Sequence, residues 1–134
     1  MSEAVALSAN PLVPAKGVAL VRTWLLVIAV MVYAMILVGG ATRLTDSGLS
    51  ITAWKPLLGA FPPMNEAEWA DAFAKYQSMT AQYHQLNPNM DLGGFKGIYW
   101  WEWGHRDLGR VLGVVFALPL LLFFFTGRTT RKLL

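Results

Sequence analysis

The chain has 134 residues, a formal net charge of +3 and no cysteine, with 55% hydrophobic and 14% charged residues. Soluble domains carry roughly 45–50% apolar and 25% charged residues, so this balance points to a membrane protein. It excludes disulfides, thiolate metal sites and a cysteine nucleophile. The sequence has no basic stripe interleaved with stacking aromatics, which argues against a nucleic-acid partner.

The apolar residues concentrate in 24–38 and 111–125, and the segment between them holds most of the polar, Pro and Gly content. Two transmembrane helices joined by a loop is the resulting parse, an all-α membrane protein. Lys16 and Arg22 precede the first apolar run and Arg128, Arg131 and Lys132 follow the second, with Glu3 as the only acid in those flanks. The positive-inside rule makes both termini cytoplasmic. Residues 41–103 carry four basic residues against six acidic ones, consistent with an extracytoplasmic loop.

In chain order, residues 1–22 contain Pro11, Pro14 and Gly17 without helical period and are expected to form a cytoplasmic leader. Residues 23–41 are expected to form the first transmembrane helix. The apolar stretch starts late and runs about 18 residues, which favours a membrane anchor over a cleaved signal peptide. Gly39 and Gly40 offer two readings: they end the helix, or they let another helix or a flat ligand approach closely. Thr45, Asp46, Ser47 and Gly48 are turn formers, so Arg43 falls at the outer membrane face.

The loop 42–98 contains one clear amphipathic helix, at about 65–78. Pro62 and Pro63 precede it, and Asn65 with Glu68 makes a capping-box pattern. Trp69, Ala72, Phe73 and Tyr76 fall on one face at i, i+3, i+4 and i+7. Packing on its own domain or on lipid headgroups is the first expectation for that face. Residues 79–94 are rich in Gln, Asn, Pro and Gly and read as loop, with His84 isolated and solvent-facing.

Helical period resumes at Phe95, and residues 99–126 are expected to enter and form the second transmembrane helix, leaving 127–134 as a cytoplasmic tail. Tyr99, Trp100, Trp101 and Trp103 make an interfacial aromatic belt that sets the depth of this helix. Glu102, His105 and Arg106 lie at i, i+3 and i+4 on one face. Steps of four from His105 reach Gly109, Gly113 and Ala117, a row of little side-chain bulk.

Two readings fit this constellation. In the first, Glu102 pairs with Arg106, Arg110 reaches for the interface, and the small residues let two membrane helices pack closely. In the second, His105 presents an imidazole nitrogen to a haem iron, the small row accommodates the flat ring, and arginines meet the propionates. The Glu-x-x-His spacing lacks the second histidine of a zinc site.

"GGATRLTDSGLSITAWKPLLGAFPPMNEAEW" and "IYWWEWGHRDLGR" resemble the first-span exit, outer loop and second-span start of the haem A synthase family. The resemblance covers about residues 24–127. It implies a partial version of an eight-helix fold built from two related four-helix halves. It implies an oxidoreductase that converts a methyl group of haem O to the formyl group of haem A for cytochrome oxidase assembly, with haem b as cofactor. By the same resemblance, His105 is an axial ligand of the haem in the amino-terminal half and Glu102 an essential acid beside it. That acid either stabilises positive charge developing on the methyl carbon or handles protons. Arg43, Arg106 and Arg110 are candidates for propionate or edge contacts.

Implied partners are haem, the lipid of the inner (cytoplasmic) membrane, the remaining helices of the synthase or a complementing chain, and haem O synthase or oxidase assembly factors. The sequence departs from the family pattern at Gly93 and Gly94, where helix formers are expected, and at Ala53, where relatives often carry an acid. The given sequence stops shortly after the second span, so the expectation is an amino-terminal portion of such an enzyme. The alternatives are a non-catalytic two-span protein that binds haem or an oxidase-assembly partner, and an inactive gene fragment.

Overall fold

The computed structural model describes residues 15–53 and 58–126. Most of the expected leader (1–14), residues 54–57 of the outer loop and the expected tail (127–134) lie outside the described residues. Every regular element among the described residues is helical: α1 (Ala15–Leu44), a 3-10 turn (Leu58–Ala60), α2 (Glu66–Met79), α3 (Ala81–Leu86) and α4 (Leu92–Phe125).

Helix α1 has 30 residues and α4 has 34. At 1.5 Å per residue they are about 45 and 51 Å long, against roughly 30 Å of hydrocarbon. Both are long and apolar enough to cross a membrane, and α4 has length to spare. Its first turns serve as the platform on which α2 packs.

Three boundaries differ from the sequence reading. Helix α1 starts at Ala15 rather than near residue 23, because the apolar run already begins at Val18 and only Gly17 weakens it. It also continues through Gly39 and Gly40 to Leu44. Two glycines cost about 1 kcal/mol each relative to alanine, less than the cost of leaving backbone groups unpaired in an apolar setting. Residues 79–94 are not a plain loop: Thr80 caps α3, its side chain accepting from the Tyr83 N–H, and His84 sits on this short helix with its ring edge-on to Tyr83. Asp91 caps α4 and starts it at Leu92, with Oδ1 accepting from the Gly94 N–H at 2.7 Å. A Cβ on Gly94 would lie 3.3 Å from that same oxygen and 3.2 Å from Met90, which accounts for glycine where a helix former was expected.

The capping pattern at α2 is present with a shifted partner. Asn65 Oδ1 accepts from the Glu68 N–H at 2.9 Å, while Glu68 Oε2 accepts from the Met64 N–H at 2.7 Å rather than from the Asn65 backbone N–H, and its Oε1 accepts from the Asn65 side-chain amide at 2.9 Å. The predicted apolar face of α2 packs on its own domain. Trp69 and Tyr76 are buried with Phe95 and Tyr99 of α4, and Phe73 and Tyr83 flank them. Ring centroids in this cluster lie 4.9–6.4 Å apart, mostly edge to face, the arrangement that the ring quadrupoles favour. Lys96 bridges to Glu66 at 3.1 Å and sits 5.2 Å from the Trp69 ring. Burial pushes the Tyr76 phenol above its ordinary value, with the Asn87 hydrogen bond opposing the shift.

Helices α1 and α4 pack antiparallel, and Pro119 explains one of their contacts. Proline has no N–H, so the carbonyl four residues earlier, that of Val115, loses its helical donor. Trp24 of α1 supplies one instead, its Nε1–H donating to the Val115 oxygen at 2.8 Å. Its ring stacks on Phe116 and meets Phe123 edge-on. Trp24→Phe keeps the rings and removes the donor, so we expect a loss of about 1–3 kcal/mol for the orphaned carbonyl. A lower thermal midpoint in detergent checks this, with Trp24→Phe compared against wild type.

Candidate functional site

Glu102, His105 and Arg106 are brought together on α4 where it meets the end of α1 and the segment that follows. Helix α1 ends in a tight hook. The Ser47 N–H and Oγ both donate to the Thr42 carbonyl, at 2.9 and 3.0 Å, and the Ser50 N–H donates to the Ser47 carbonyl. Asp46 takes a positive φ of 49°, a conformation aspartate tolerates better than most residues, and its carbonyl accepts from the Gln82 amide. The hook turns the chain back so that residues 50–53 lie against α4.

Glu102 is 3% exposed, and both of its oxygens are engaged. Oε2 accepts from Ser50 Oγ and from the Ile51 N–H, each at 2.7 Å. Oε1 pairs with Arg106 Nη2 at 2.5 Å. Arg106 continues outward, donating to the Ile51 carbonyl at 2.9 Å and towards that of Ala53 at 3.5 Å. The i, i+4 pair is thus also a clasp that fastens residues 50–53 to the helix. Charge-assisted bonds of this kind are about twice as strong as neutral ones.

His105 points the other way, at α1. A Cβ on Gly39 would lie 3.0 Å from His105 Nε2, tight enough that the imidazole would have to give by a few tenths of an ångström. Of the two readings for the glycine pair, close approach therefore holds at Gly39, and the group that approaches is the imidazole. At Gly40 a Cβ would meet nothing within 4 Å. Half-buried His105 makes no hydrogen bond from either ring nitrogen to another described residue. The small row below it divides. Gly109 faces Met35 of α1, where a Cβ would sit 3.2 Å from the methionine methyl, whereas Gly113 and Ala117 are exposed.

The arginines also divide. Arg106 is committed to the clasp, and Arg110 lies 3.5 Å from Asp107. Arg43 is exposed in the last turn of α1. A cleft of about 240 Å³ opens between α2, residues 50–53 and α4, with Tyr99, Arg106 and Arg110 among its lining residues. His105 does not line it. The cleft and the histidine are therefore separate features. Among the described residues no group of three His, Cys, Asp or Glu side chains converges as a metal site.

The residues fit a haem iron ligand by the chemistry of the donor: among the described residues neither imidazole nitrogen has a hydrogen-bond partner. The missing Cβ of Gly39 is what lets the ring lie this close to α1. Sequence reasoning missed Ser50, Gly39 as the neighbour of His105, and the Trp24 contact. Only the last had a legible signal, a proline inside a span with a tryptophan on the facing helix.

Comparison with known proteins decides the family. A family profile described as cytochrome oxidase assembly protein, COX15-CtaA, matches residues 22–134. The chain belongs to this family. A protein named "Heme A synthase" from Methylobacterium radiotolerans is 62% identical over 113 residues, covering 84% of this chain and 30% of that protein. Proteins of the same name from Chelativorans sp. and Caulobacter vibrioides are 60% and 52% identical, with 31% and 33% of their lengths covered. The chain thus spans about a third of the length of these curated relatives. No solved structure matches it. Membership in this cytochrome oxidase assembly family, together with two helices able to span hydrocarbon, makes the chain a membrane protein.

Proposed function

We propose that this chain supplies the amino-terminal haem site of a haem A synthase, where a methyl group of haem O is oxidised to the formyl group of haem A. His105 would hold the haem iron, through a ring nitrogen that no described neighbour engages. The observation that carries the reading is the pairing of this imidazole with a bare Gly39 on the facing helix, in a chain 62% identical to a protein named "Heme A synthase". Bound haem supplies the redox chemistry. The haem b cofactor would be held by parts of the synthase beyond this chain.

Glu102 would act beside the substrate ring. All three of its neighbours are donors, so its oxygens are fixed as acceptors. That arrangement supports a preorganised electrostatic role towards positive charge on the reacting carbon over a proton-shuttling one. Arg106 holds the carboxylate and the outer segment in place. Arg43 and Arg110 would serve the propionates. The flanking Lys16 and Arg22 support cytoplasmic termini, in the inner membrane, with α2 and α3 on the outer side.

The test is pigment extraction from cells whose haem A depends on a chimera, in which residues 22–126 replace the matching part of the Methylobacterium radiotolerans protein. His105→Ala is expected to abolish haem A and Glu102→Ala to reduce it about 100-fold or more, the scale of losing one preorganised electrostatic group. Haem A at the parental level in both variants would sink the reading.

A further inference from the structure

We propose that Ser50 is a positioning residue that aims the Glu102 carboxylate, so that the hook at the end of α1 sets the geometry of the acid on α4. The inference rests on the reading of Glu102 given above and adds the group that controls it. Ser50 is 2% exposed, and its Oγ has three acceptors within reach: Glu102 Oε2 at 2.7 Å, the Ser47 carbonyl at 2.9 Å and the Ile98 carbonyl at 3.4 Å. A hydroxyl has one proton to give. A carboxylate outcompetes a neutral carbonyl for it, and here it is also the shortest contact.

The consequence follows from what each donor restrains. Arg106 grips Oε1 from the same helix, four residues on, and a guanidinium on a long side chain can follow the carboxylate as it turns. The two donors to Oε2 come from a different part of the chain, Ser50 and Ile51, and they fix the rotation of the carboxylate plane. Ser50 is tied in turn to Ser47, which is fully buried and bonded twice to the Thr42 carbonyl in the last turns of α1. One turn earlier, the same helix presents Gly39 to His105. The hook therefore couples the helix against which the imidazole rests to the orientation of the acid beside it. Removing the Ser50 hydroxyl leaves Oε2 with the Ile51 N–H alone.

Two measurements test this. In the full chain in detergent, hydrogen exchange of the Ile51 amide reads the clasp directly. Ser50→Ala is expected to speed it about tenfold, Ser50→Thr to restore protection, and Glu102→Ala to speed it at least as much. In the chimera, Ser50→Ala is expected to lower haem O to haem A conversion about tenfold, as for one lost hydrogen bond to a charged group, with bound haem unchanged and Ser50→Thr rescuing conversion. Added to Glu102→Ala, it should lower conversion no further, the signature of a residue acting through another. Wild-type exchange and wild-type conversion in Ser50→Ala would overturn the inference, as would effects of Ser50→Ala and Glu102→Ala that multiply. Wild-type conversion in Glu102→Ala alone would instead overturn the role of Glu102 on which the inference rests.

Discussion

Glu102→Ala is expected to release the outer segment from α4 and to destabilise the chain by the lower end of about 3–5 kcal/mol, the range for breaking a buried ion pair by removing one partner. The lower end applies because the Arg106 side chain keeps 28% of its surface exposed. The loss is not confined to Arg106. Ser50 and the Ile51 N–H lose their shared acceptor at the same time, and the Ile51 amide has no second partner described for it. Glu102→Gln should fall between wild type and alanine, since its amide would present N–H groups to a set of neighbours that all donate. Thermal unfolding of the purified chain in detergent checks the order. Equal midpoints for wild type and Glu102→Ala would mean that the clasp contributes nothing to the fold.

Gly39→Val is the second substitution with a large expected effect. Its Cβ would start 3.0 Å from His105 Nε2, so the imidazole or the helix must move. Overpacking of this kind costs about 1–3 kcal/mol, and it falls on the group that would hold iron. Gly40→Val is the matched control, because a Cβ there meets nothing within 4 Å. We expect Gly39→Val to lose haem loading and Gly40→Val to keep it, measured as haem per purified chain. Equal loading in both would show that the Gly39 contact does not position the histidine.

The two substitutions also mark where the sequence was readable. Helix α2 and its buried face were legible because Trp69, Ala72, Phe73 and Tyr76 repeat with helical period and Asn65 caps them, signals that act within a few residues. The Glu102–Arg106 pair was legible for the same reason, as an i, i+4 spacing on one helix. What stayed hidden depends on contacts across the chain. Nothing in "SGLS" shows that Ser50 will meet a glutamate 52 residues later. Nothing in "VGGA" tells which glycine faces His105. The extent of α1 and α4 is hidden because Gly17, Gly93 and Gly94 read as non-helical and Gly39 and Gly40 leave the end of α1 open, whereas caps and apolar surroundings hold those helices together. The row below His105 was drawn as one surface; packing against Met35 takes its upper part and leaves Gly113 and Ala117 outward.

The most direct test of the central claim, that His105 is the haem ligand of this chain, is a visible-spectrum titration of the purified protein with haem in detergent, run in parallel on His105→Ala and His84→Ala. The account predicts a saturable shift of the Soret band in the wild type, retained in His84→Ala and lost in His105→Ala. An identical shift in His105→Ala, or loss in His84→Ala instead, would contradict it.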